Sequence, residues 1–83
     1  ISQYCDDMTD EEFIKELGKN IDRLRKEKGI SFMEMSHRCD IEKANLVKLT
    51  TQGTNITVKT LHKIVKGLEV SFNQVFDFYQ KEE

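Results

Sequence analysis

Residues 30–49 read ISFMEMSHRCDIEKANLVKL, and their order predicts two short helices joined by a tight turn. Ser31 is a natural N-cap: its side-chain oxygen can accept from an orphan backbone N–H, and Glu34, three residues on, can reach back to complete a capping box. Met35 and Cys39 then fall four apart on one face, and Ile30 stands just ahead of the cap as a staple. That face is expected to be buried. Asp40 tolerates turn conformations and can offer its carboxylate to the next helix, while Ile41 supplies an apolar plug inside the bend. The second helix is expected from about Glu42 to Thr50, with Leu46 and Leu49 facing inward. Its outward face carries Lys43, Ala44, Val47 and Lys48, with Asn45 beside them. Two lysines, an amide and two small side chains suit a helix that lies in a nucleic-acid groove, reaching base edges and neutralising phosphate.

The flanks read as scaffolding for this pair. The chain has 83 residues, no proline and four glycines, so one small all-α domain is the default. It is expected to occupy residues 9–79, between a mobile N-terminal tail at 1–8 and a frayed end at 80–83. Thr9 with Glu12 marks the start of a long first helix, whose stripe is Phe13, Ile14, Leu17, Ile21 and Leu24 and which ends at Gly29. Thr57 caps a fourth helix with a core stripe of Val58, Leu61, Ile64, Val65 and Leu68. Val70 and Ser71 open a fifth, short helix with Phe72, Val75, Phe76 and Tyr79 on its apolar side.

Composition excludes several classes. No run approaches the length of a membrane span, and no basic-then-apolar leader is visible, so a soluble, cytoplasmic protein with no membrane partner is expected. Cys5 reads as a tail thiol and Cys39 as a small core hydrophobe, and two cysteines so far apart cannot form a metal quartet. His37 and His62 each read as surface residues. No metal or cofactor is therefore expected, nor does any arrangement suggest a nucleophile, an acid–base pair, a Gly-rich phosphate loop or a small-molecule substrate pocket. Thirteen bases stand against 15 acids, which argues against nucleic acid until their distribution is considered. The first 20 residues hold two lysines and six acids, whereas residues 21–48 hold seven bases and five acids. Phosphate neutralisation alone should therefore give only weak affinity.

The stretch resembles the helix-turn-helix of the phage repressor and Cro type, the XRE family of transcriptional regulators, over roughly residues 17–76. The carriers are Leu24-Arg25 before Gly29-Ile30-Ser31, then Met35 and Ile41, Leu46 with Leu49, Thr60-Leu61-His62-Lys63-Ile64, and Gly67-Leu68-Glu69-Val70-Ser71. The resemblance implies a compact five-helix lambda-repressor-like fold that binds double-stranded DNA sequence-specifically as a homodimer. The second helix of the pair would enter the major groove, with Lys43, Ala44, Asn45, Val47 and Lys48 at base edges. Arg25, Ser31 and the loop residues Thr51, Gln52, Thr54 and Asn55 would hold the DNA backbone, although the loop residue types also suit an ordinary connection. The last helix of the family often carries the dimer contact, which points to Phe76, Phe78 and Tyr79, with core packing as the competing explanation.

Several positions depart from the family. Arg25 usually pairs with a glutamate where this chain has Thr50, which leaves Arg25 solvated, paired with another acid, or free to touch a phosphate. A glutamine that anchors the first helix of the pair to phosphate is here Phe32, the small residue at the helix crossing is Ser36, and the turn glycine is Asp40. Phe32 and Met33 together place apolar bulk near the DNA-facing edge. Either the N-terminal segment covers them or they meet a protein, and the latter keeps open a protein-interaction scaffold on the same fold.

Overall fold

Four of the five helices begin on a hydroxyl. In the computed structural model, which describes residues 8–79, the helices are α1 (Asp10–Glu27), α2 (Phe32–Cys39), α3 (Lys43–Thr51), α4 (Val58–Leu68) and α5 (Phe72–Val75), with a 3-10 turn at Asp77–Tyr79. Thr9, Ser31, Thr57 and Ser71 each accept a bond from the N–H three residues on, at 3.1 Å in every case. Each such cap stabilises its helix by about 1 kcal/mol. The box at Thr9 is complete, since its own N–H donates to Glu12 Oε1 at 3.0 Å. The box expected at Ser31 is not: the Glu34 carboxylate accepts from Arg38 Nε at 3.0 Å instead, one turn along the same helix.

The core gathers Leu17, Ile21 and Leu24 of α1, Met35 and Cys39 of α2, Leu46 and Leu49 of α3, Ile64 and Leu68 of α4, and Val70 and Val75. Burial pushes the Cys39 thiol pKa above its ordinary value, and the Arg38 charge opposes that rise. Two glycines set the helix crossings. A Cβ on Gly18 would overlap the Leu49 carbonyl oxygen, and one on Gly67 would overlap Cys39 Sγ. Backbone therefore meets backbone where α1 crosses α3, and α4 rests directly on the end of α2.

That crossing explains a departure from the expected stripe of α4. Val58 is 80% exposed, because it lies nine residues before Gly67, about 13 Å back along the axis from the contact with α2. The last helix is also shorter than expected. The buried Asn20 amide donates to the carbonyls of Gln74 at 3.0 Å and Val75 at 2.6 Å, and the helix stops there. Phe72, expected on its apolar side, is 44% exposed.

The expected mobile tail, apart from Met8, and the frayed end at 80–83 lie outside the described residues, as do Cys5 and the side chain of Tyr79. Among the described residues there is no strand, and no helix is long and apolar enough to cross a membrane.

Candidate nucleic-acid interface

The turn between α2 and α3 is built by three side chains. Asp40 adopts the left-handed conformation, with φ 57° and ψ 49°, as its place in the sequence requires. Ser36 then closes the bend, its hydroxyl donating to the Ile41 carbonyl at 2.7 Å while the Ile41 N–H donates to the Ser36 carbonyl at 3.2 Å. Ile41 packs against the core. The Asp40 carboxylate does not cap α3 as expected; it is turned out to solvent, 3.9 Å from Lys63 Nζ. Glu42 occupies the N-cap of α3 but its side chain makes no capping bond.

Leu46 and Leu49 bury one side of α3, so the opposite side must face outward. Lys43, Ala44, Asn45 and Lys48 are exposed there, and Val47 is half-buried. Neither lysine makes an ion pair among the described residues, and the Asn45 amide has no hydrogen-bond partner among them. Other bases are spent inside the domain: Lys19 on Glu16, Arg23 on Glu27, Lys26 on Asp22, Arg38 on Glu34. The outward face of α3 thus offers two unpaired cations and an amide along one helix.

The loop that follows presents Gln52, Thr54 and Asn55 to solvent. Thr51 differs, because its hydroxyl donates to the Val47 carbonyl at 2.6 Å and would have to rotate to donate elsewhere. Ser31 keeps its hydroxyl proton free of the cap, where the oxygen acts as acceptor. Thr50 is buried, and its hydroxyl bonds back to the Leu46 carbonyl at 2.9 Å.

Of the three possibilities for Arg25, the structure shows the pair with another acid. Its guanidinium lies 2.9 Å from Asp22 Oδ1, donates to the Ile30 carbonyl at 2.7 Å and sits over the Phe32 ring at 4.1 Å. Phe32 is consequently turned onto Arg25 and the core, and neither the N-terminal segment nor a partner is needed to cover it. Met33 alone of the two stays exposed, at 53%.

Phe76 and Phe78 both meet Phe13 of α1, with ring centroids 6.2 and 5.5 Å apart. Each is half-buried against the core, which places one side of both rings inside the domain. His37 and His62 are exposed, and no group of three or more His, Cys, Asp or Glu among the described residues could hold a metal ion. Sequence reading missed Asn20, which joins α1 to α5. Its signal was a polar residue three after Leu17 and four before Leu24, on the core stripe itself.

A capped α2, a left-handed turn and an α3 with one buried and one bare polar face define a helix-turn-helix domain. The chain belongs to the Cro/C1-type helix-turn-helix DNA-binding domain family, whose model matches residues 20–81. Family and fold make it a DNA-binding regulator. Among solved structures it is similar to the wild-type restriction-modification controller protein C.Esp1396I, with 25% identity over 81% of this chain and 87% of that one and a TM-score of 0.74. A threonine-to-alanine mutant of that protein matches at 27% identity over 81% and 89% of the two chains, with a TM-score of 0.75. A tyrosine-to-phenylalanine mutant bound to its highest-affinity operator site matches at 25% identity over 81% and 88%, with a TM-score of 0.74. No curated protein matches the sequence.

Proposed function

We propose that this chain is a cytoplasmic, repressor-like regulator that binds a two-fold symmetric DNA operator as a homodimer, with α3 in the major groove. The observation that carries the reading is the bare polar face of α3. Lys43, Asn45 and Lys48 have no partner among the described residues, while Lys19, Arg23, Arg25 and Lys26 of α1 and Arg38 of α2 are paired. Lysine can donate to guanine O6 and N7 and asparagine to and from adenine, and Ala44 and the exposed part of Val47 can touch a thymine methyl. Ser31, Gln52, Thr54 and Asn55 would fix register on phosphates, with Thr51 joining after rotation of its hydroxyl. Arg25 is left out of this set because its guanidinium is committed within the fold. The similarity to a controller protein solved on its operator supports an operator as the partner. Phe72, with the outer faces of Phe76 and Phe78 and with Tyr79, is the proposed surface between the two copies.

The scaffold reading has less to rest on, because Phe32 is half-buried against the core and the Arg25 guanidinium, and Met33 by itself is an ordinary exposed apolar residue. Selection of a randomised duplex library on the purified protein, at two salt concentrations, tests the proposal. The expected outcome is an enriched motif of two inverted half-sites about 34 Å apart, one turn of the duplex. Absence of both enrichment and salt-sensitive retention would reject it.

A further inference from the structure

The loop between α3 and α4 is pinned to α1 at one point. Gly53 holds φ at +70°, in the left-handed region, and a Cβ there would come within 3.2 Å of Lys15 Cα and 3.3 Å of Lys15 Cβ. A larger residue would meet both backbone strain and crowding against α1. The Lys15 side chain therefore leaves α1 immediately beside the loop that displays Gln52, Thr54 and Asn55.

Lys15 also differs electrostatically from the rest of its helix. The other bases of α1 all make ion pairs: Lys19 with Glu16, Arg23 with Glu27, and Arg25 and Lys26 with Asp22. Lys15 is exposed and has no ion pair among the described residues. It stands in the acidic first third of the chain, where Asp10, Glu11, Glu12 and Glu16 would repel a DNA strand. It is also outside the segment matched by the family model, which begins at residue 20.

We propose that Lys15 binds a backbone phosphate on the strand that the loop contacts, extending the DNA interface from the helix-turn-helix onto α1. Gly53 sets the spacing, so that the lysine ammonium and the loop side chains address adjacent phosphates. The contact carries no sequence information; it adds affinity on every duplex and offsets the nearby carboxylates. This inference rests on the DNA-binding reading.

Its test is the salt dependence of binding by the whole chain, measured with Lys15→Gln on the selected duplex and on an unrelated one. Each phosphate neutralised on duplex DNA contributes about 0.9 to the slope of log affinity against log salt. Lys15→Gln is expected to flatten the slope by about that amount, with the same fold-loss on both duplexes and an unchanged melting curve. Lys66→Gln, at an exposed site near the far end of α4, should leave the slope as it is. A Lys15→Gln slope equal to that of the unaltered chain, which itself binds, would overturn this contact and leave the α3 reading intact. No salt-sensitive binding of the unaltered chain to any duplex would overturn both.

Discussion

Arg25 and Phe32 replace, within one helix-to-helix joint, an ion pair that the family makes elsewhere. With threonine at position 50, the arginine takes Asp22 on its own helix and the ring of the first residue of α2, and Thr50 satisfies its hydroxyl on the Leu46 carbonyl. A guanidinium over an aromatic ring contributes about 0.5–2 kcal/mol, more as the pair is desolvated. Phe32→Gln should therefore lower stability by about 1–2 kcal/mol. It should also tighten DNA binding on all duplexes alike, because the family resemblance places a phosphate-anchoring glutamine there. A thermal melt and a titration on two unrelated duplexes check both halves, and an unchanged melting temperature would remove Phe32 from the joint. That Arg25 lacks its usual partner was legible in the sequence, since position 50 is a threonine. Its actual partners were not, because they depend on how the end of α1 approaches α2.

At the scale of the elements, local signals and tertiary contacts part company. Thr9, Ser31, Thr57 and Ser71 could be read as caps because a cap is satisfied within one turn, by a backbone N–H three residues away. The left-handed Asp40 could be read from its position in the turn. The place of Gly67 near the end of α4 could be read, but not its role: α4 rests on Cys39 there, and the left-handed end is made by Glu69 at φ 58°. The two positions should respond with opposite signs. Gly67→Ala forces a methyl into Cys39 and should cost about 1–3 kcal/mol or more, whereas Glu69→Gly relieves the left-handed backbone and should stabilise by about 1 kcal/mol. Chemical denaturation of the two variants measures this, and a tolerated Gly67→Ala would contradict the close approach of α4 to α2. Asn20 and Val58 escaped for the same reason, since the partner of one and the exposure of the other follow from which helices meet and where.

Over the whole molecule, a net charge of −2 conceals a divided surface. Acids crowd the start of α1, where three of them complement the helix N-terminus. Bases along α1 and α2 are largely neutralised by ion pairs, and the unpaired lysines of α3 remain on an otherwise neutral outward face. Such a protein gains less from phosphate attraction than a strongly basic one, so a larger share of its affinity for an operator would come from base edges read by few side chains. The helix order, the turn and the polar face of α3 were all legible in the sequence, being repeated at fixed spacing along one chain. The internal pairing of Arg25 and the hydroxyl bond of Thr51 were not: the first takes Arg25 out of the proposed interface, and the second obliges Thr51 to rotate before it can join. The most direct test is competition binding of Lys48→Ala against a panel of the selected duplex with each base pair substituted in turn. If α3 reads the major groove, the variant loses about 1–3 kcal/mol of discrimination at one position of each half-site and keeps it at the rest. An equal loss on every duplex of the panel would show that Lys48 touches only phosphate and would contradict base reading by α3.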